Sequence, residues 1–158
     1  MSMKIMWGGA IMFGGWLWFY MFMRQFLFNI MTANPLIKKM TQTDGELIAV
    51  GAKRYTTVSL IVCGLVGAII AAVVVILCPL YLIICFFVGA VVALISFLPR
   101  LGPNNRDMFD TFCGAYYRFV PDDELRTAMY NKKPSQMKLR LHTMGLSTDF
   151  IPKFEDKK

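Results

Sequence analysis

The chain has 158 residues, of which 56% are hydrophobic and only 17% are charged, and its formal net charge at pH 7 is +7. Soluble domains carry about 25% charged residues, so this composition argues against an ordinary soluble enzyme domain and indicates a membrane protein. The positive charge fits an anionic membrane surface, and no nucleic-acid-binding motif accompanies it.

The first predicted element is a membrane helix within residues 1–31. Residues 5–23 carry no charge and are bracketed by Lys4 and Arg24, and their length is enough for one membrane crossing. The apolar part is longer than that of a secretory signal and no small-x-small cleavage site follows it, so we expect the segment to be retained. An in-plane or re-entrant helix is the alternative, because two glycine pairs weaken the segment and its aromatic residues are spread around it.

Aromatic residues crowd the end of this first segment, next to Arg24. Because Trp and Tyr favour the headgroup level of a bilayer, they predict an interfacial anchor. The anchor residues would be Trp16, Trp18 and Tyr20.

Residues 32–54 are predicted to form a basic connecting segment. We expect Asn34-Pro35 to end the first helix and residues 43–46 to form a turn, followed by a short helix or an extension of the second span. The positive-inside rule places this basic segment in the cytoplasm or its topological equivalent. The residues predicted to set the topology and to contact the membrane surface are Arg24, Lys38, Lys39, Lys53, Arg54 and Arg100.

The most informative feature is residues 55–99, which contain no Asp, Glu, Lys, Arg or His. About 20 apolar helical residues cross a bilayer, so the run is too long for one crossing, and Pro79 is the only strong helix breaker inside it. We therefore predict a transmembrane helical hairpin with spans over about 56–77 and 81–98. Its turn lacks polar residues, so we expect the turn at the headgroup level or under a partner.

Small residues recur at every fourth position in both arms of this hairpin. Lipid supplies no hydrophobic drive for helix association, so close backbone approach at small residues decides where helices pack. Two interpretations stay open: the hairpin packs on itself, or the small-residue face docks another subunit. The predicted helix-packing interface consists of Gly64, Gly67, Ala68, Ala71, Ala72, Gly89 and Ala93.

The hairpin also lacks the ionisable side chains that mark proton relays and ion paths inside membranes. A secondary transporter or a proton-translocating rotor is therefore hard to build from it. A pore made by this chain alone would be lined by apolar and small side chains, which offer little ionic selectivity.

Residues 100–158 are predicted to form a small, mainly helical extramembrane region. Asn104 or Asn105 can cap an amphipathic helix. A second helix is expected to begin at the acidic residues 122–124, which favour a helix N-terminus, and to end at Pro134. The apolar face of the first helix is predicted to meet a partner through Phe109, Phe112, Tyr116 and Tyr117.

Ser135 is a candidate cap for a third piece that extends to Met144. Apolar and basic residues alternate in this piece, which is compatible with a helix or a strand. The last residues, 147–158, are predicted to form an extended tail. Its candidate anchors are Phe150, Ile151 and Phe154.

Candidate catalytic and metal-binding residues are scarce. His142 is the only histidine, and the four cysteines show no C-x-x-C spacing, so we expect no zinc site. A nucleophilic pair of Cys113 and His142 is formally conceivable, but Cys113 falls on an apolar face, where a buried structural thiol is the ordinary outcome. Asp107 and Asp110 share a helix face, as paired carboxylates at metal sites sometimes do. We expect no cofactor, no metal and no enzyme activity.

The sequence thus predicts an all-α integral membrane protein with an N-terminal membrane helix, a transmembrane hairpin and a small helical C-terminal region. The predicted function is noncatalytic association, as an accessory or assembly subunit of a larger membrane protein complex or as a membrane-resident inhibitor of a partner. A homo-oligomeric pore or channel built from the hairpin is the alternative. The expected partners are the lipid bilayer and other integral membrane subunits, without nucleic acid, in a bacterial cytoplasmic membrane or an organellar inner membrane.

Overall fold

The computed structural model describes residues 3–41 and 47–153, and within these ranges every regular element is helical. The chain divides into two compact units. The first unit consists of Met1–Leu27 and Val58–Arg100, and the second consists of Phe28–Thr57 and Leu101–Lys158. Each unit therefore combines two stretches that are distant in the sequence. The predicted segments 1–31 and 55–99 fall largely in the first unit, and 32–54 and 100–158 fall largely in the second.

The N-terminal helix is continuous over Met3–Thr41, a stretch of 39 residues. It consists of three α-helical parts that are joined by two π-helical turns, Phe19–Met23 and Asn29–Ala33. The α-helical parts are α1 (Met3–Trp18), α2 (Arg24–Phe28) and α3 (Asn34–Thr41).

The predicted end of this helix at Asn34-Pro35 is wrong, because α3 contains both residues. The N–H of Asn34 donates a hydrogen bond to the carbonyl of Asn29, five residues earlier, and closes the second π turn. Proline lacks an N–H and normally interrupts a helix. Here Pro35 follows a widened turn that has already displaced the regular bonding ladder, so the helix continues past it.

The predicted hairpin is present as α4 (Val50–Leu77) and α5 (Leu80–Phe97), which are joined at Cys78 and Pro79. Pro79 has an extended backbone (φ −66°, ψ 155°) directly before the first residue of α5. The predicted helical spans are confirmed, and α4 starts earlier than the predicted second span. Among the described residues, three helices are long and apolar enough to cross a membrane, judged by length and composition: Met3–Thr41, Val50–Leu77 and Leu80–Arg100.

The C-terminal part of the second unit contains three α-helices, and a 3₁₀ turn over Tyr117–Phe119 follows the first of them. The predicted cap at Asn105 is confirmed, and at the predicted acidic start of the second helix the structure adds a cap by Asp122. The side chain of Asn105 accepts hydrogen bonds from the N–H groups of Asp107 and Met108, and the Asp122 carboxylate accepts one from the N–H of Leu125 at 2.8 Å. The helices are α6 (Arg106–Tyr116), α7 (Asp123–Tyr130) and α8 (Pro134–Thr143).

The third piece is a helix and not a strand. Ser135 does not cap it, because Pro134 already occupies its first turn and Lys133 is the N-cap residue; proline suits that place since its missing N–H has no helical partner there. Of the predicted tail anchors, Phe150 and Ile151 are buried. Phe154 and the predicted turn over 43–46 lie outside the described residues.

The core of the second unit draws on α3, the residues before α4, and the three C-terminal helices. The N–H of Ala49 donates to the carbonyl of Phe119 at 2.7 Å, which ties the start of α4 to the 3₁₀ turn. The N–H of Gly102 donates to the hydroxyl of Thr32 at 3.2 Å. The largest buried apolar side chains of this core include Leu36, Met40, Leu47, Phe109, Phe112, Tyr116, Leu125, Met129 and Leu141.

Candidate helix-packing surfaces

Within the first unit, the most extensive helix packing among the described residues is between α1 and α5. Gly15 of α1 and Gly89 of α5 are both buried. A Cβ atom on Gly15 would lie 2.7 Å from the carbonyl carbon of Phe86, and one on Gly89 would lie 2.9 Å from the carbonyl carbon of Met12. Each glycine therefore faces the backbone of the other helix, and the close approach of α1 and α5 requires both.

The N-terminal helix also contacts α4 in the first unit. The indole N–H of Trp18 donates to the carbonyl of Gly67 at 3.0 Å. A Cβ atom on Gly67 would overlap the Met23 side chain, and one on Gly64 would lie 3.3 Å from the Phe26 ring. The glycines of α4 thus make room for large side chains and not for another backbone.

The interfacial role of Trp18 stays a prediction. Its side chain is half-buried, and its indole N–H bonds to a helix backbone inside the unit, which gives this polar group the hydrogen-bond acceptor it needs away from water. Trp16 and Tyr20 form a ring pair with centroids 4.5 Å apart.

The residues of the predicted small-residue interface differ in how far they are buried. Gly67, Gly89 and Ala93 are buried, Gly64 and Ala71 are half-buried, and Ala68 and Ala72 are exposed. Among the described residues, α4 and α5 are not extensively packed on each other. The interpretation that the hairpin packs on itself is corrected accordingly, because the N-terminal helix contacts both arms.

The sequence pattern did not predict that Gly15, Met12 and Phe86 are packing residues. The available signal was the pair Gly14-Gly15 in the first segment, which was noted as a weakness of that helix. A glycine that weakens an isolated helix can also permit a close crossing, and only the position of the second helix distinguishes the two roles.

Among the basic residues predicted to set the topology, Arg24 is half-buried. The centre of its guanidinium group lies 5.2 Å from the ring centroid of Phe97 and 6.0 Å from that of Tyr20. These distances fit cation–π contacts. The other five residues of this set are exposed: Lys38, Lys39, Lys53, Arg54 and Arg100.

The predicted partner-facing side of α6 lies mostly inside the second unit. Phe109, Phe112 and Tyr116 are each only 1% exposed, and the rings of Phe112 and Tyr116 stack with centroids 4.8 Å apart. The expectation of an exposed face is corrected for these three residues, because the unit uses them for its own core. Tyr117 is half-buried, and its ring lies 5.2 Å from that of the exposed Tyr130.

A buried hydrogen bond joins α4 to α6. The hydroxyl oxygens of Thr56 and Tyr116 are 2.7 Å apart. Thr56 uses its single hydroxyl hydrogen to donate to the carbonyl of Ala52 at 2.9 Å, so the Tyr116 hydroxyl is the donor in the pair. Burial raises the pKa of Tyr116 above its usual value, which keeps this donor protonated at neutral pH.

Replacing Tyr116 with phenylalanine is expected to lower the free energy of unfolding of the second unit by about 1 to 2 kcal/mol, because the Thr56 oxygen loses a buried partner. Thermal unfolding in detergent, followed by circular dichroism, measures the change. Tyr130→Phe is the matched control, since the Tyr130 side chain is 62% exposed. Equal melting temperatures for both variants would contradict a structural role for this bond.

Ion pairs join α7 to α8. Arg140 contacts Asp122 at 2.7 Å and Glu124 at 2.8 Å. The hydrogen bond from Arg140, helped by the N–H of Leu125, lowers the pKa of Asp122 below its usual value. These ion pairs link the start of α7 to α8, and each of the three charged groups has a partner of opposite charge.

Cys113 lacks the ionisation of a nucleophilic thiol. Burial, reinforced by the nearby charge of Asp110, raises the pKa of the Cys113 thiol to about 12, so it is not a thiolate at neutral pH. His142 is exposed. Asp110 accepts a hydrogen bond from Arg106 at 3.1 Å. No group of three potential metal ligands occurs within residues 3–41 and 47–153.

Comparison with protein-family models, with curated proteins and with solved structures gives no match to this chain.

Proposed function

We propose that this protein is embedded in a membrane through its three apolar helices and acts without catalysis, by associating with other integral membrane proteins. Its role is that of an accessory or assembly subunit of a larger membrane complex, or of an inhibitor that resides in the membrane with its target. The N-terminus lies outside, and the basic connecting segment and the C-terminus lie on the cytoplasmic side or its equivalent. The membrane is a bacterial cytoplasmic membrane or an organellar inner membrane.

The observation that supports this proposal most strongly is the exposed side of α4. Ala68 and Ala72 are four residues apart and exposed, and large apolar side chains beside them are also exposed, with Leu65 at 60% and Ile69 at 61%. An apolar face of this extent requires cover by lipid or protein. Small residues four apart allow another helix to approach closely, and among residues 3–41 and 47–153 no helix covers these two.

The charge distribution supports association over transport. Residues 55–99 contain no Asp, Glu, Lys, Arg or His, the side chains that usually mark relays for protons or ions inside a membrane. The exposed lysine and arginine side chains lie outside this run, where they favour the cytoplasmic side of the membrane.

A double substitution tests the association. We expect Ala68→Leu with Ala72→Leu to reduce the yield of any co-purifying membrane protein about tenfold or more, because two bulky side chains block the close helix approach. The measurement is quantitative mass spectrometry after purification in mild detergent. Ala10→Leu is the control, since Ala10 is also an exposed alanine on an apolar helix.

The melting temperature of the double variant should equal that of the wild type, because both alanines are exposed. Retention of the partner at the wild-type level would contradict the proposal. Recovery of a closed homo-oligomer that conducts ions in planar bilayers would favour the pore instead. Recovery of the intact chain from the aqueous fraction without detergent would contradict membrane embedding itself.

A further inference from the structure

The second unit contains a groove of about 370 Å³ between α3 and the first turns of α4. Two lysines from different helices line it, and both side chains are exposed. The groove is lined by Asn34, Ile37, Lys38, Thr41, Lys53 and Thr57.

The hydrogen-bonding capacity of this groove favours an anion. The hydroxyl of Thr41 donates to the carbonyl of Ile37 at 2.8 Å, and that of Thr57 donates to the carbonyl of Lys53 at 2.9 Å, so these hydrogens are committed to the helices. The donors that remain are the two lysine ammonium groups and the side-chain amide of Asn34. No carboxylate is among the lining residues described.

The position of the groove along the chain indicates the source of the anion. Lys53 is followed by Arg54 and then by the uncharged residues 55–99. Along α4, the groove therefore lies within about one helical turn of the start of the apolar span, since a turn contains about 3.6 residues. This is the level at which the phosphates of a bilayer lie, and a lysine near an anionic leaflet contributes about 1 kcal/mol to binding.

We propose that this groove binds a phosphate group, supplied by the headgroup of an anionic lipid, between the ammonium groups of Lys38 and Lys53. Ile37 supplies an apolar wall, and the amide of Asn34 donates a hydrogen bond to a phosphate oxygen. The lipid source rests on the membrane embedding proposed above. The phosphate chemistry of the groove does not depend on whether the chain acts through a partner.

A matched pair of double variants tests the site. Lys38→Gln with Lys53→Gln removes both charges from the groove, and Lys39→Gln with Arg54→Gln removes two charges from neighbouring exposed positions that do not line it. The full chain in detergent is titrated with phosphatidylglycerol or phosphatidylcholine, and native mass spectrometry counts the retained lipid. We expect the groove variant to bind phosphatidylglycerol about tenfold or more weakly than the wild type, while the neighbouring variant stays close to the wild type.

Each outcome supports or overturns the proposed phosphate site. Equal weakening in both variants would show a diffuse attraction to the basic surface and would overturn the proposal, as would equal retention of phosphatidylcholine by the wild type. Displacement of phosphatidylglycerol by millimolar inorganic phosphate would support the phosphate site but assign it to the free ion. Circular dichroism melts confirm that both variants fold.

Flotation with phosphatidylcholine vesicles separates this proposal from the proposed function. Failure of the wild type to float would contradict membrane embedding. Binding of inorganic phosphate to the groove, lost in the Lys38 and Lys53 variant alone, would still support the phosphate site in that case.

Discussion

Replacing Gly89 with alanine should lower the free energy of unfolding of the first unit by about 2 kcal/mol or more, because overpacking a close contact forces backbones apart. The new Cβ atom would overlap the backbone of Met12, whose carbonyl carbon lies 2.9 Å away. A backbone cannot move aside as the end of a flexible side chain can. Helices α1 and α5 must therefore separate, and the packing along their crossing is weakened.

Gly9→Ala is the matched control. Gly9 is exposed on α1, and a Cβ atom there would meet nothing within 4 Å. Alanine is favoured over glycine in a helix by about 1 kcal/mol in water, so this variant should be neutral or slightly more stable. The same chemical change is thus expected to have opposite effects at two glycines of one unit.

Reversible unfolding in mixed micelles, followed by tryptophan fluorescence, measures this difference. All three tryptophans of the chain lie on α1, and the Trp18 ring is 5.3 Å from that of Phe86 on α5, so the signal reports the separation of these helices. Equal stability of the Gly89 and Gly9 variants would contradict the crossing. Gly15→Ala provides a second test from the α1 side, because its Cβ atom would overlap the backbone of Phe86.

Replacing Phe112 with alanine should lower the free energy of unfolding of the second unit by about 3 to 5 kcal/mol. Phe112 is 1% exposed and stacks on Tyr116, so the change removes a large buried ring and leaves a cavity. Since whole domains are stable by only about 5 to 15 kcal/mol, we expect the second unit to be partly unfolded at 37 °C.

Hydrogen exchange with mass spectrometry detects this loss as faster exchange in α6, α7 and α8. Leu139→Ala is the control, because the Leu139 side chain is 67% exposed and its loss leaves no cavity. If Phe112 instead contacted a partner, its substitution would reduce association while leaving exchange in the isolated protein unchanged. That result would restore the partner-facing interpretation of α6.

The helices themselves were largely predictable from local sequence signals. The uncharged run with Pro79 near its middle predicted α4 and α5, because apolar length and a proline break are properties of consecutive residues. Asn104 or Asn105 predicted the start of α6 as a cap, which bonds to N–H groups two or three residues away. The acidic residues 122–124 predicted the start of α7, because negative charge favours a helix N-terminus. The end of the first helix was mispredicted at Pro35, where a π turn compensates for the missing N–H.

Local sequence signals did not predict which neighbouring residues each helix face contacts. Gly64, Gly67, Ala68 and Ala72 share one pattern of small residues, yet only the first two make room for aromatic and methionine side chains of the N-terminal helix. The apolar face of α6 was predicted correctly from the sequence. The sequence did not predict that the second unit itself buries this face. An apolar stripe requires cover, and its sequence does not specify what provides that cover.

The sequence by itself determined that this protein is helical, that three of its segments are long and apolar enough to cross a membrane, and that residues 55–99 contain no Asp, Glu, Lys, Arg or His. These properties depend on composition and on residues near one another in the chain. Only the tertiary structure decided that α1 crosses α5 at Gly15 and Gly89, that α6 is buried, and that Lys38 and Lys53 share a groove. Such pairings join residues far apart in sequence, and they depend on the shapes of two surfaces at once.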